Sequence, residues 1–215
     1  MRASVYERRF KRAFDVAASA AGLVVLSPVL LAVAAAIKLA DSGPVIFSQT
    51  RAGLGSKPFR IFKFRTMRAG SEGLQITSGA DARVTPLGRL LRKTKIDELP
   101  QLFNVLRGEM SVVGPRPEVP RYVDLFKDDY ALILSVKPGL TDYAAIKYVD
   151  EEAALEAYAD AEEGYVKKVL PDKIVLYRRY IADVGFLTDL RIILATAAKI
   201  VAGRRSRAGD DINSR

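Results

Sequence analysis

VAASAAGLVVLSPVLLAVAAAI, residues 16–37, is a run of 22 residues without a single charge. At a helical rise of about 1.5 Å per residue, a straight helix of that length just crosses a hydrocarbon core of about 30 Å. The simplest reading is a transmembrane span. The run is long and lacks a small-residue cleavage site, so it does not read as a removable signal. Two features favour another path. Ser27-Pro28 falls near the middle, with 11 residues before it and 9 after, so each half is about 14–16 Å long and reaches only mid-bilayer. Both flanks are also basic, with five Lys and Arg before the run and fourteen from Lys38 to Arg116. The positive-inside rule therefore does not send its ends to opposite sides. A helix that bends at Ser27-Pro28 and returns to the same face satisfies both flanks, with the Ser27 hydroxyl bonding part of what the proline frees.

Outward from this run, residues 1–15, MRASVYERRFKRAFD, interleave Arg8, Arg9, Lys11 and Arg12 with Tyr6, Phe10 and Phe14, the pattern of an amphipathic helix on a bilayer surface. The 215 residues and 49% hydrophobic content allow one domain with a core and an appended segment. Cysteine and histidine are both absent. That excludes a disulfide framework, a thiolate nucleophile and a zinc ribbon, and leaves carboxylates, hydroxyls, Lys, Arg, Tyr or an oxygen-liganded metal such as Mg²⁺. Residues 1–120 carry 19 Lys and Arg against 9 Asp and Glu, whereas residues 121–215 carry 15 against 16. A basic first half suits an anionic membrane surface, a phosphate-bearing substrate or nucleic acid. The uncharged run argues against nucleic acid.

After the turn Asp41–Pro44, two strand-like runs, Val45–Gln49 and Phe59–Thr66, flank Gly53-Leu54-Gly55 and predict a hairpin. Lys63 and Arg65 share one face of the second run and Phe62 and Phe64 the other. The two cations are either solvated or a phosphate clamp. Arg68 to Arg83 is polar and glycine-containing, a mobile loop that could close over a substrate. Thr85-Pro86 predicts a helix start, with Thr85 as N-cap, running to Lys95.

The stretch KIDELPQLFNVLRGEMSVVGPRPE, Lys95–Glu118, carries the densest chemistry. Asp97 precedes Leu99, Leu102, Phe103 and Leu106, the stripe of a buried helix face, which puts Asp97 near an N-cap and Pro100 in the first turn. A helix start there can hold a phosphate if something neutralises Asp97 and Glu98, and a divalent cation would do so. Taken alone, an N-cap acid followed by a first-turn Glu reads first as ordinary helix stabilisation. Arg92, Lys93 and Lys95 surround them with positive charge, and Arg116 is fixed between Pro115 and Pro117, a setting suited to two-point phosphate contacts.

Beyond Glu118 the pattern gives a helical stretch near Tyr122–Ser135 and a turn at Lys137-Pro138-Gly139-Leu140. Residues 150–163, DEEAALEAYADAEE, read as a solvated acidic helix face. Phe186, Leu187, Leu190, Ile193, Leu194, Ala197, Ile200 and Val201 form a further apolar stripe, either core or a second interfacial helix.

YERRFKRAFD, LSPVLL, GPVIFSQTRAG, FRIFKFRTM, KTKIDELPQLFNVLRGEMSVVGPRPE and KPGLT together resemble the monotopic phosphoglycosyl transferases, often called bacterial sugar transferases. The resemblance covers nearly the whole chain. It implies transfer of a sugar 1-phosphate from a nucleotide diphosphate sugar, usually UDP-linked, to a membrane polyprenyl phosphate. It implies an α+β fold of α/β type, mostly helical with a small β-hairpin, interfacial helices and a re-entrant helix broken at Ser27-Pro28. The implied division is a membrane segment over 1–40, a catalytic domain over 41–203 and a basic, disordered tail over 204–215. On the same resemblance Asp97 is the nucleophile and a Mg²⁺ ligand, Glu98 assists, and Lys63, Arg92 and Arg116 hold phosphates. The expected location is the cytoplasmic face of the bacterial inner membrane, with no nucleic-acid partner, and a homodimer is allowed. After KPGLT the chain departs from the family, with Asp142–Tyr148 where many members carry a Trp-, Asn- and Gly-containing segment, so the sugar is not read. The competing hypothesis is a membrane-anchored basic scaffold or lipid-binding protein without catalysis.

Overall fold

The computed structural model describes Tyr6 and residues 10–70 and 81–210; residues 1–5, 7–9, 71–80 and 211–215 lie outside it. Among the described residues helices dominate, with two small sheets and one helix long and apolar enough to cross a membrane. That helix, α1, runs from Lys11 to Ala40 and contains Pro28.

The expected break at Ser27-Pro28 is not an interruption, because the chain remains helical on both sides of the proline. Pro28 lacks the N–H that would bond the Val24 carbonyl one turn back. The Ser27 hydroxyl donates to that carbonyl at 2.7 Å. One hydroxyl thus satisfies the acceptor orphaned by the proline, and the helix continues.

α1 touches the rest of the molecule along its length. Arg12 donates from Nη1 to the Val105 carbonyl at 2.6 Å and from Nη2 to that of Leu106 at 2.8 Å. The buried Asp15 accepts from the Ser111 hydroxyl at 3.0 Å and the Val112 N–H at 2.9 Å. Near the other end, Leu30, Val33, Ala34 and Ile37 pack around Phe64 and Leu91. Val24 and Val25, between these contacts, are exposed, as is Leu31 on the side of the helix away from its packed neighbours. Lys11 and Arg12 were expected to face lipid headgroups, but both turn inward: Lys11 Nζ lies 2.5 Å from Asp189 Oδ2. Arg8 and Arg9 lie outside the described residues.

β1 (Ile46–Ala52) and β2 (Pro58–Phe64) form the expected antiparallel hairpin, with Ile46 opposite Phe64 and Ala52 opposite Pro58. The centre of the expected mobile loop, residues 71–80, lies outside the described residues; its ends meet, with the Arg68 N–H bonding the Arg83 carbonyl at 3.0 Å. α2 (Pro86–Thr94) starts as read, its Thr85 hydroxyl accepting from Gly88 N–H at 2.9 Å. α3 (Gln101–Arg107) buries Gln101, Leu102, Asn104 and Val105, while Phe103 of the expected stripe is exposed beside Phe62.

β3 (Ser111–Val113) pairs in parallel with β4 (Gly139–Thr141), a pairing the local sequence did not announce. The crossover contains α4 (Pro120–Leu125) and α5 (Lys127–Ile133), two short helices where one was expected. The main core gathers Tyr122, Tyr130, Ile133, Leu155, Tyr165, Tyr177 and Ile192, contributed by these helices, by α6 (Tyr143–Lys147), α7 (Glu151–Leu155), α8 (Ala161–Gly164), α9 (Leu170–Asp183) and α10 (Phe186–Asp210), and by the π-helical turn Tyr165–Val169 that joins α8 to α9. α10 is both core and surface: Ile192 is buried, whereas Phe186, Leu187 and Leu194 are exposed. It extends to Asp210.

Candidate active site

α2 ends because Lys95 enters the left-handed region (φ 57°, ψ 15°) and its N–H turns back to the Leu91 and Arg92 carbonyls. One 3₁₀ turn, Ile96–Glu98, follows, and only at Pro100 does α3 begin. Asp97 is therefore not the N-cap that the apolar spacing predicted. The left-handed turn moves the helix start to Pro100, which takes the N-cap position itself. The positive potential at the two acids comes from side chains instead of a helix end.

Asp97 is 7% exposed, and its Oδ1 has no hydrogen-bond partner. Burial foremost, and then the neighbouring Glu98 charge, push the Asp97 carboxyl up to about 6, against the opposing pull of Lys63, Lys95 and Arg116. Glu98 behaves oppositely. Burial resists its ionisation, but Arg116 and Lys63 outweigh burial and hold its carboxyl well below the usual carboxylate range. Lys63 Nζ donates to Glu98 Oε1 at 3.0 Å, Arg116 Nη1 donates to Oε2 at 2.9 Å, and Arg116 Nη2 contacts Oε1. Two adjacent acids thus have different states: Glu98 is fixed and charged, and Asp97 is buried with one free oxygen.

Arg116 is aimed by backbone. The Gly139 N–H bonds the Pro115 carbonyl at 2.9 Å, the Gly114 N–H bonds the Thr141 carbonyl at 3.0 Å, and the Arg116 N–H bonds Asp142 Oδ2 at 2.8 Å. A Cβ on Gly139 would lie 2.1 Å from Gly114 N, so the two loops meet only because that residue is glycine. Asp142 also caps α6 through the Ala145 N–H.

Lys63, Asp97, Glu98 and Arg116 are brought together; Arg92 is engaged elsewhere. Its Nε donates to the Thr66 hydroxyl at 2.9 Å and its Nη1 to Glu152 Oε1 at 2.6 Å. The acidic stretch 150–163 is accordingly not one solvated face. Glu152 holds Arg92, Glu151 accepts from Lys173 at 2.9 Å, and Leu155 is buried, leaving residues 156–160 exposed.

Behind the site runs a buried polar chain that the sequence reading missed. Arg51 donates to Glu118 at 3.2 Å, Glu118 accepts the Tyr165 hydroxyl, and Lys173 Nζ donates to that hydroxyl at 3.1 Å and to Glu151. One signal was available: Lys173 lies on the same helical face as Leu170, Ile174 and Tyr177, where a cation needs buried partners.

Magnesium was expected at Asp97. The unpartnered, buried Oδ1 is the kind of atom a divalent cation satisfies. Among the described residues no cluster of three or more acidic ligands exists. A hard cation there would have Asp97 as its protein carboxylate, with the remaining positions left to phosphate oxygens and water.

The model of the Bacterial sugar transferase family matches residues 6–203. This chain belongs to the bacterial sugar transferase family. This bacterial sugar transferase is 38% identical over 203 residues to the Aeromonas hydrophila UDP-N-acetylgalactosamine-undecaprenyl-phosphate N-acetylgalactosaminephosphotransferase, covering 92% of the chain and 45% of the relative. It is 39% identical over 196 residues to the Caulobacter vibrioides UDP-glucose:undecaprenyl-phosphate glucose-1-phosphate transferase, covering 89% and 69%. To the exopolysaccharide production protein PSS of Rhizobium leguminosarum bv. phaseoli it is 39% identical over 196 residues, covering 86% and 92%. The bacterial sugar transferase chain therefore spans less than half of the first relative and most of the other two.

Proposed function

We propose that this protein transfers a sugar 1-phosphate from a nucleotide diphosphate sugar to a membrane polyprenyl phosphate. UDP as the nucleotide and undecaprenyl phosphate as the acceptor follow the names of the relatives. The observation that carries the reading is the buried Asp97, its Oδ1 unpartnered, beside a Glu98 held by Lys63 and Arg116.

In the proposed reaction an Asp97 oxygen attacks the sugar-bearing phosphorus of the donor diphosphate. The bond from that phosphorus to the bridging oxygen breaks, and nucleoside monophosphate leaves with the electron pair. The sugar phosphate is then carried on Asp97 as an acyl phosphate. A phosphate oxygen of the polyprenyl acceptor attacks the same phosphorus, and Asp97 leaves as carboxylate. Glu98 keeps Lys63 and Arg116 at fixed positions, so their remaining N–H groups face the phosphates without reorganising. Asp97 would hold Mg²⁺, and that ion would supply positive charge that lowers the repulsion between the carboxylate and an incoming phosphate.

The contacts of α1 support a monotopic, re-entrant arrangement. Arg12 and Asp15 near one end and Ile37 near the other all contact the same globular body. A helix that simply crossed the bilayer would require that body to reach both sides. The site then lies at the cytoplasmic face, within reach of a soluble donor and a lipid acceptor.

A panel of nucleotide sugars incubated with polyprenyl phosphate, scored by release of nucleoside monophosphate, tests this function. Acceptor-dependent release with one donor supports it. No release with any donor, from protein shown to be folded and membrane-bound, overturns it and leaves the scaffold reading.

A further inference from the structure

Lys95 stands two residues before Asp97 in a backbone conformation that disfavours a side chain. Its φ of 57° is shared, among the described non-glycine residues, only by Ser56 at 62°. A Cβ in this region costs about 1–2 kcal/mol, and glycine makes the same helix-ending turn without that cost. Lysine therefore adds something the turn does not need.

Its charge has no structural employment either. Each of the three cations expected to bind phosphate has an acidic partner: Lys63 and Arg116 on Glu98, and Arg92 on Glu152. Among the described residues the Lys95 ammonium makes no hydrogen bond or ion pair. Yet it stands two residues before Asp97, on the residue that leads directly into the 3₁₀ turn Ile96–Glu98 carrying both acids. A cation and the unpartnered Asp97 oxygen therefore lie within electrostatic reach of each other without pairing. Such an arrangement leaves both groups available to something that brings its own negative charge and its own electrophile.

We infer that Lys95 is a substrate-binding residue whose ammonium contacts a phosphate group at Asp97. The inference rests on the transferase reading above and names a contact that reading did not assign. The chemistry recognised is a phosphate oxygen, supplied either by the donor diphosphate or by the lipid acceptor.

The test uses the full-length protein in detergent or nanodiscs, with Lys95→Gly and Lys95→Arg. Lys95→Gly removes the charge and relieves the backbone, so its melting temperature should equal or exceed that of the parent. Loss of one charge-assisted contact should lower kcat/KM roughly ten- to hundredfold, while Lys95→Arg keeps most activity. A rise in donor KM alone assigns the donor diphosphate; a rise in acceptor KM alone assigns the acceptor phosphate. Calorimetric binding of inorganic pyrophosphate with Mg²⁺ provides a readout independent of turnover, and Lys95→Gly should weaken it about tenfold. If the parent protein shows no turnover but Lys95→Gly still weakens pyrophosphate binding, the transferase reading fails and the phosphate contact stands. If Lys95→Gly matches the parent in both kcat/KM and pyrophosphate binding, the inference is overturned.

Discussion

Arg116 and Glu98, 18 residues apart in the chain, meet as a two-point pair, with Nη1 2.9 Å from Oε2 and Nη2 on Oε1. Two parallel contacts fix orientation as well as charge, which a lysine cannot reproduce. Arg116→Lys should keep the protein folded, because the Asp142 bond to the residue 116 N–H is unaffected, yet lower kcat/KM roughly ten- to hundredfold. Glu98→Gln should do more, since it leaves Lys63 and Arg116 without their shared acid. Steady-state kinetics on both variants would check this. Wild-type kcat/KM in Arg116→Lys would mean that the two-point geometry is not used.

Asp97 opposes folding at neutral pH. Its carboxyl is raised from 3.8 to about 6, so the folded protein binds the proton more tightly than the unfolded chain. The resulting stability is fully present below about pH 4 and is lost as pH rises through about 6. Asp97→Asn should therefore stabilise the protein at pH 7, by on the order of 1–3 kcal/mol, while abolishing turnover. The gain should vanish near pH 4. Capping predicts the reverse, a loss of about 1 kcal/mol at pH 7. Chemical denaturation of both proteins at pH 4 and 7 separates the two.

The same raised carboxyl sets a limb in the pH–rate profile. A carboxylate nucleophile must be ionised, so kcat/KM should fall about tenfold per unit as pH drops below about 6. Glu98, held well below the ordinary carboxylate range, contributes no limb there. A profile flat from pH 7 down to 4.5 would remove Asp97 as the ionising nucleophile.

Topology can be read in a chain that has no native cysteine. Single substitutions Ser4→Cys and Ser56→Cys place thiols on either side of α1. In intact cells an impermeant thiol reagent should label neither, and after permeabilisation it should label both. Labelling of one site alone in intact cells would establish a full span.

Local signals in the sequence were read well. Thr85 before Pro86 forms its cap, and the Gly53-Leu54-Gly55 link joins the two strands of the hairpin. What failed was local geometry that depends on one unusual dihedral: Lys95 in the left-handed region moves the start of α3 from Asp97 to Pro100. Pairings across long stretches of chain were also invisible. Arg92 with Glu152, Lys11 with Asp189 and Lys173 with Glu151 each carry ordinary surface residue types, and only the fold makes them buried or functional partners. The proline in α1 was legible as a break in bonding, but its repair by Ser27 needed the actual distance to Val24.

Covalent labelling tests the central claim, that Asp97 is the nucleophile, most directly. Purified protein is incubated with donor labelled in its sugar phosphate, without acceptor, and analysed by intact-mass and peptide mass spectrometry. The account predicts one sugar phosphate per protein, mapped to the peptide bearing Asp97, discharged by added polyprenyl phosphate and absent in Asp97→Asn. Full turnover with no adduct in the parent protein, or an undiminished adduct in Asp97→Asn, would contradict it.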